Sequence, residues 1–341
     1  MTKKTIKIKL LGFWDGFNPD SHILINVLKK KYDVQFVDTN PEYIICSVFG
    51  KPYDYCKYPQ IRIMFSGENY IPDFNLVDYA ISSYPVNYSD RSFRLPQCFG
   101  TVKNSAWGLK DKNRDYNVDI LKEKVYFANF IFSHESENNM RGDFFKKLSE
   151  YKRVESSGSF MNNMPEGKCV SRADGSKLDF QRKSKFTICF ESTKHEGFIT
   201  EKIVEAFYSD TIPIYYGSSD VSGIFNEEAF INCTGYDSFD EVIDRIIELD
   251  KHDEKYLEML RKPIFTNPEY PGLLMNDFEA FVYNIFDQPV EKAYRRSLVY
   301  CAKQYNDYLI GVNKEENDNK TAVVNGGIFN AIKKSVMFWK R

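Results

Sequence analysis

FTICFESTKHEGFITEKIVEAFYSDTIPIYYG, Phe186 to Gly217, is the stretch that decides the fold. Phe186 to Phe190 is a short apolar, β-prone run, followed by a polar loop that contains Gly197. Thr200 stands where an N-cap belongs, ahead of a helix whose Ile203, Ala206 and Phe207 share one face. Ser209-Asp210 stop that helix, and Ile212 to Tyr216 read as a second buried strand ending at Gly217. The spacing predicts a βαβ unit with its loop and helix start at the carboxyl end of a strand, where ligands of open α/β sheets sit. Glu191, Lys194, His195, Glu196, Glu201 and Lys202 crowd into that loop and first turn. A diphosphate would suit such a helix start, with Lys202 adding a full charge. By residues alone, a solvated loop and an ordinary exposed first turn fit equally well.

The rest of the chain repeats the alternation. Ile6 to Leu11, Val34 to Val37, Tyr43 to Val48, Arg62 to Phe65 and Tyr79 to Ser82 read as strands. Between the first two, Ile23, Leu24, Val27 and Leu28 make a helical stripe capped by Asp20-Ser21 and closed by Lys29 to Lys31. This predicts a parallel, Rossmann-like domain over 1–120. Asp111 to Asp119 is charged and helix-poor, a natural linker. A second α/β set over 121–290 starts with an aromatic strand, Val125 to Phe132, and a helix from Met140 to Tyr151 with Arg141 in its first turn. It ends on Phe230 to Asn232 and a helix from Ser238 to Leu249. Residues 291–341 form a third region: a Tyr-rich helical pattern to Gly311, a polar break over Lys314 to Lys320, and a basic amphipathic end from Gly327 to Arg341. That end could lie on an anionic membrane surface or dock on the protein body.

With 341 residues, two cores are the better prior, and 28 Phe and 23 Tyr supply the apolar mass for them. A net charge of −2 argues against non-specific nucleic-acid binding. The seven cysteines are scattered, with no Cys-x-x-Cys pair, which predicts free thiols in a reduced, cytoplasmic compartment. The basic start, Met1 to Lys9, has no apolar run of signal-peptide length. Neither a G-x-G-x-x-G fingerprint nor a P-loop is present.

Phe190-Glu191-Ser192 with Gly197-Phe198-Ile199-Thr200-Glu201-Lys202, then Ile212-Pro213-Ile214-Tyr215-Tyr216-Gly217, resembles the signature of the α-1,3/4-fucosyltransferases, glycosyltransferase family 10, in its bacterial, Helicobacter-like branch. Phe65-Ser66-Gly67-Glu68-Asn69 with Pro72, Phe74-Asn75-Leu76 and Asp78 to Ile81 matches a second family motif, and Met140-Arg141 a third. The three stand in the family's order and span roughly residues 5 to 290. The resemblance implies a GT-B architecture: two Rossmann-like domains facing a cleft, acceptor on the first, GDP-fucose on the second. It implies inverting transfer of L-fucose from GDP-β-L-fucose to the N-acetylglucosamine of a lactosamine-type glycan. The expected product is of the Lewis x type, on a lipopolysaccharide O-antigen.

Carried onto this sequence, the resemblance makes Glu68 the catalytic base that takes the acceptor proton. Arg141 and Lys202 become the diphosphate ligands and Glu201 the carboxylate on the ribose hydroxyls. Ser192 and Phe198 fall at donor-binding positions where relatives often carry Asn and Tyr, so an amide and a phenol are absent here. There is no Asp-x-Asp, which gives no metal site; Mn2+ or Mg2+ would then stimulate without a fixed ligand set. Three alternatives remain at this stage: α-1,4 or dual regiospecificity, another nucleotide sugar, and an inactive nucleotide- or glycan-binding homologue. The expected location is cytoplasmic, or peripheral at the inner membrane surface through the tail.

Overall fold

The computed structural model describes residues 3–296 and 299–312. Two all-parallel sheets carry them. The first is built from β1 (Thr5–Leu11), β2 (Asp33–Phe36), β3 (Tyr43–Cys46), β4 (Ile61–Ser66), β5 (Tyr79–Ser82) and β6 (Ser92–Arg94), in the order β2-β1-β3-β4-β5-β6. Every residue of β3, β4 and β5 is buried, the mark of strands covered on both faces, and that is why they read as unbroken apolar runs. β1 alternates instead, with Ile6 and Ile8 inward.

The helix α1 (Ile23–Lys31) departs from its expected cap. Asn18, not Asp20 or Ser21, does the capping. Its side chain accepts from the Asp20 N–H at 2.9 Å, starting a short 3-10 turn over Pro19–Ser21. Extended His22 then separates that turn from α1, so Asp20 and Ser21 are spent one turn early.

The second sheet has β7 (Tyr126–Phe130), β8 (Val154–Ser156), β9 (Ser184–Phe190), β10 (Ile212–Tyr216) and β11 (Ile231–Asn232), in the order β11-β10-β9-β7-β8. Between its strands run α2 (Met140–Tyr151), α3 (Ser176–Arg182) and α4 (Glu201–Tyr208). α5 (Phe239–Lys251) and α6 (Asp253–Arg261) follow β11. The unit β9-α4-β10 is the βαβ read from the sequence.

The next helix, α7 (Tyr270–Asp287), lies in the range given to the second domain but packs on the first. Phe278, Val282, Ile285 and Phe286 are fully buried on its inner side. Phe286 stacks tilted on Tyr43 of β3 at 4.4 Å, and Asp287 accepts from Tyr32 Oη at 2.7 Å. Lys30 pairs with Glu279, and Lys31 Nζ reaches Asp287 at 2.6 Å. The chain therefore crosses back before residue 290, so the structural boundary precedes the sequence-based one. α8 (Val290–Ala293) then leads into a segment tied to buried Asp78, whose carboxylate accepts the N–H groups of Arg62, Arg295 and Arg296 at 2.8 to 2.9 Å. The continuous helix expected over 291–311 is broken there and resumes over 302–312. The polar break and the amphipathic end lie outside the described residues, among which no helix is long and apolar enough to cross a membrane. The seven cysteines are free thiols, five of them buried.

Candidate active site

The two sheets meet where strand ends face each other, and α4 sits at that junction. Its buried Ile203, Val204 and Phe207 share one apolar cluster with Leu95, Phe99 and Leu109 of the first domain. The Cys98 N–H donates to the Ile199 carbonyl at 3.0 Å, Tyr208 Oη to the Ser105 carbonyl at 2.9 Å, and Arg94 pairs with Asp220. Gly197 is required at the closest point. Its φ is +82°, and a Cβ there would stand 2.3 Å from the Ser83 carbonyl oxygen.

Glu191, the first residue after β9, organises the helix start. Its side chain is wholly buried, and Oε1 accepts from the Thr200 N–H at 2.8 Å and the Thr200 hydroxyl at 2.9 Å. Oε2 accepts from Lys202 Nζ and the Thr200 hydroxyl, both at 2.8 Å. Thr200 does occupy the N-cap position, but its hydroxyl makes no cap bond to α4. It donates to Glu191 and accepts from Lys202 at 2.8 Å instead. A carboxylate nine residues upstream has taken the anchoring role.

Lys202 is therefore fixed. Burial works against its charge, but Glu191 and then Glu201 outweigh that and hold its pKa above the ordinary lysine value. Burial alone would raise the Glu201 carboxyl, but Lys202, Arg172 and Lys177 bring it down to about 2. Arg172, on the loop before α3, donates to Glu201 at 2.7 Å and to buried Glu205 at 2.6 Å, and Lys177 adds a 2.5 Å bond to Glu205. No local pattern marks Arg172, because its partners lie 29 and 33 residues away.

Arg141 is not the surface arginine that residue type alone suggests. It is 2% exposed, with Nε and Nη2 donating to the Phe190 carbonyl (3.3 and 2.9 Å), Nη1 to the His134 carbonyl (2.9 Å), and the Phe132 ring 4.1 Å away. Those three bonds use three of its five N–H groups and leave one on each terminal nitrogen. Glu135 supports it from below, taking the N–H groups of Arg141 and Gly142 in the first turn of α2.

Glu68 comes from the other domain, two residues past β4. It is open to solvent on one side, yet its carboxyl is raised above the ordinary glutamate value, first by desolvation and then by Glu201 across the junction, against the opposing pull of Lys202. The structure thus brings Glu68, Arg141, Glu191, Glu201 and Lys202 into one electrostatic neighbourhood drawn from both domains. Ser192 and Phe198 flank it on the connecting loop. Ser192 is half-buried with its carbonyl accepting from the Glu137 N–H at 3.0 Å, and Phe198 is only 6% exposed. The same loop holds two buried polar atoms without a hydrogen-bond partner, Thr193 Oγ1 and His195 Nδ1. A cavity of about 590 Å3 beside β11 and α6 contains none of these residues. Converging charge, not volume, marks the site. Among the described residues no group of three or more His, Cys, Asp or Glu side chains is placed to hold a metal ion.

Two parallel-sheet domains facing each other, with strand ends and one helix start lining the gap, make this a GT-B glycosyltransferase fold. A crystal structure of alpha1,3-fucosyltransferase with GDP-fucose superposes with a TM-score of 0.66 at 25% identity, over 83% of this chain and 91% of that one. Residues 8–99 match the alpha-(1,3)-fucosyltransferase FucT N-terminal domain, and residues 121–262 match the C-terminal domain of glycosyltransferase family 10 (fucosyltransferase). The chain belongs to glycosyltransferase family 10. It is 31% identical over 299 residues to the alpha-(1,3)-fucosyltransferase FucT of Helicobacter pylori, covering 77% of this chain and 60% of that protein. It is 24% identical over 170 residues to the 4-galactosyl-N-acetylglucosaminide 3-alpha-L-fucosyltransferase 9 of Bos taurus, 49% of this chain and 43% of that one. The chain thus spans between two fifths and two thirds of the length of these relatives.

Proposed function

We propose that this protein transfers L-fucose from GDP-β-L-fucose to O3 of the N-acetylglucosamine in an N-acetyllactosamine-type glycan, with inversion at the anomeric carbon. The observation that carries the reading is the pairing across the junction of a raised carboxyl, Glu68, with the fixed Glu201–Lys202 pair. The acceptor hydroxyl attacks the anomeric carbon while its proton passes to Glu68, and the bond from that carbon to the diphosphate oxygen breaks. Negative charge grows on the departing GDP, where Lys202, the remaining N–H groups of Arg141 and the start of α4 lie. Glu201, ionised at any working pH, accepts the ribose hydroxyls, and Ser192 and Phe198 shape the donor side. Mn2+ or Mg2+ acts as a stimulant and not through a fixed ligand set. The relatives' names support the donor and the linkage: one was crystallised with GDP-fucose, and another is named for O3 of 4-galactosyl-N-acetylglucosaminide. A lipopolysaccharide O-antigen carrying lactosamine is the proposed acceptor, with a Lewis x-type product.

Glu68→Gln is the direct test. Loss of a base lowers transfer by about 10²–10⁴-fold. GDP binding is expected to survive, because Glu68 is not one of the residues proposed to hold the donor. Near-normal transfer by the variant would remove Glu68 from the mechanism. Linkage analysis of products from type 1 and type 2 lactosamine acceptors then checks O3 against O4.

A further inference from the structure

Two loops at the carboxyl edge of the first sheet carry aromatic rings that the transfer chemistry above does not use. Phe13, Trp14 and Phe17 follow β1, and Phe49 follows β3. Trp14 is 47% exposed and Phe49 50%, and their rings meet nearly at right angles, 5.5 Å apart. The half-buried Phe17 lies 4.9 Å from Trp14 and stacks on Phe13 at 4.1 Å. His22 continues the row, 5.4 Å from Phe17 and 4.1 Å from Phe65. Burial pushes its pKa down to about 3, so it stays neutral and packs as one more ring. Phe65 belongs to β4 and stands three residues before Glu68. A continuous row of rings thus runs from beside the base to two large apolar side chains held in water, and such a patch marks a contact surface.

The sheet order sets where this row stands. β3 lies between β1 and β4, and all three run parallel, so the loops that follow them leave the same edge. At about 4.8 Å between strands, the loops after β3 and β1 start about 5 and 10 Å from the loop that carries Glu68. The second domain meets the first on the other side of β4, where Gly197 abuts Ser83 and Arg94 pairs with Asp220. The rings are also held in place beforehand. The Phe49 N–H donates to the Gly12 carbonyl at 2.8 Å, and the Phe17 N–H to the Trp14 carbonyl at 3.1 Å. Gly12 has φ +66°, and a Cβ there would stand 2.6 Å from the Ser47 carbonyl oxygen, so the two loops are locked together. Side chains fixed in advance lose little freedom when a ligand arrives. Over 12–18, 47–51 and 67–70 a single lysine, Lys51, stands against Asp15 and Glu68, which is not the basic rim that an anionic bilayer calls for.

We propose that Trp14 and Phe49 form the subsite for the sugar next to the reacting N-acetylglucosamine, with the hydroxyl-poor face of its galactose laid on the two rings. This rests on the lactosamine reading above and adds the direction in which the acceptor extends from Glu68, along β3 towards β1. Contact between ring C–H groups and the aromatic surfaces removes apolar area of both from water.

The test is a ligand-observed NMR titration of the full chain, saturated with GDP, with N-acetyllactosamine and N-acetylglucosamine as separate ligands. GDP affinity and melting temperature are measured on every variant. No transfer is needed, so the outcome does not depend on Glu68 being the base. The wild type should bind the disaccharide more tightly than the monosaccharide. Trp14→Ala and Phe49→Ala should each weaken disaccharide binding by about tenfold or more, as for an aromatic anchor, and leave monosaccharide and GDP binding at wild-type values. Trp14→Tyr keeps a ring and should retain most of the preference. A preference kept by both alanine variants, or missing from a wild type that binds the monosaccharide, overturns the proposal. Alanine variants that keep the preference but no longer sediment with anionic vesicles would assign the rings to a membrane instead. If neither sugar binds the wild type, the lactosamine reading fails and the subsite falls with it.

Discussion

Replacing Glu191 by Gln keeps its shape and removes its charge, and the consequence can be worked out atom by atom. The carboxylate accepts four hydrogen bonds, two on each oxygen, from the Thr200 N–H, the Thr200 hydroxyl and Lys202. Glutamine has one acceptor oxygen. If it faces the Thr200 N–H, the new NH2 confronts the Lys202 ammonium; if it faces Lys202, the NH2 confronts the N–H of Thr200. Either way a charge-assisted bond worth about 1.5–3 kcal/mol weakens and a donor is left opposed to a donor at about 1–3 kcal/mol. Lys202 is one-fifth exposed and recovers part of its share from water, so the loss falls near 3 kcal/mol. With a urea m-value of about 3 kcal/mol/M, the unfolding midpoint should fall by about 1 M. GDP affinity should fall with it by about tenfold or more, each tenfold being about 1.4 kcal/mol, because Lys202 loses its anchor. A midpoint and a GDP affinity both equal to those of the wild type would refute the claim that Glu191 builds the donor side.

Three further outcomes follow from the same site. Glu201 has its carboxyl lowered to about 2 against an ordinary 4.5, so it stabilises the fold above pH 4.5 and loses that contribution as pH falls towards 2; the difference corresponds to about 3 kcal/mol, and Glu201→Gln should flatten acid unfolding curves in that window. The raised Glu68 carboxyl places the acid limb of kcat/KM above the ordinary glutamate value, and Glu201→Gln should shift that limb downward, since Glu201 is one of the groups raising it; a limb that stays in place in a pH–rate profile would separate the two residues. Gly197→Ala forces a side chain into φ +82° against the Ser83 carbonyl, which should lower stability by about 2 kcal/mol or more and raise the donor KM, both measurable on the purified variant.

Much of this arrangement was legible in the chain because parallel strands covered on both faces leave continuous apolar runs, as in Tyr43–Cys46 and Ile212–Tyr216. The three-residue strands Ser92–Arg94 and Val154–Ser156 leave too short a pattern to carry a period. No helix was read over Tyr270–Asp287, and apolar spacing alone does not say which sheet α7 covers; contacts to Tyr32 and Tyr43 decide that. Within the site, the motif residues Glu68, Arg141, Glu201 and Lys202 were readable as types, but their supports were not. Glu191, Arg172 and Glu135 act on residues six to thirty-three positions away, where no helical or strand period connects them.

That difference between motif and support bears on what the site can tolerate. Lys202 and Glu201 sit side by side on α4, but each is held by a different part of the second domain: Lys202 by the end of β9 through Glu191, Glu201 by the loop before α3 through Arg172. Arg141 in turn ties the end of β9 to the loop after β7 through the Phe190 and His134 carbonyls. A displacement of β9 would move the anchor of Lys202 and the anchor of Arg141 together while leaving the Arg172–Glu201 pair in place. The two cations expected on the diphosphate are therefore mechanically coupled, and the carboxylate expected on the ribose is not. Changes at Phe190 or Glu191 should weaken the diphosphate contacts as a pair, whereas changes at Arg172 should act on the nucleoside end alone, so a comparison of GDP with guanosine binding in the two sets of variants resolves them.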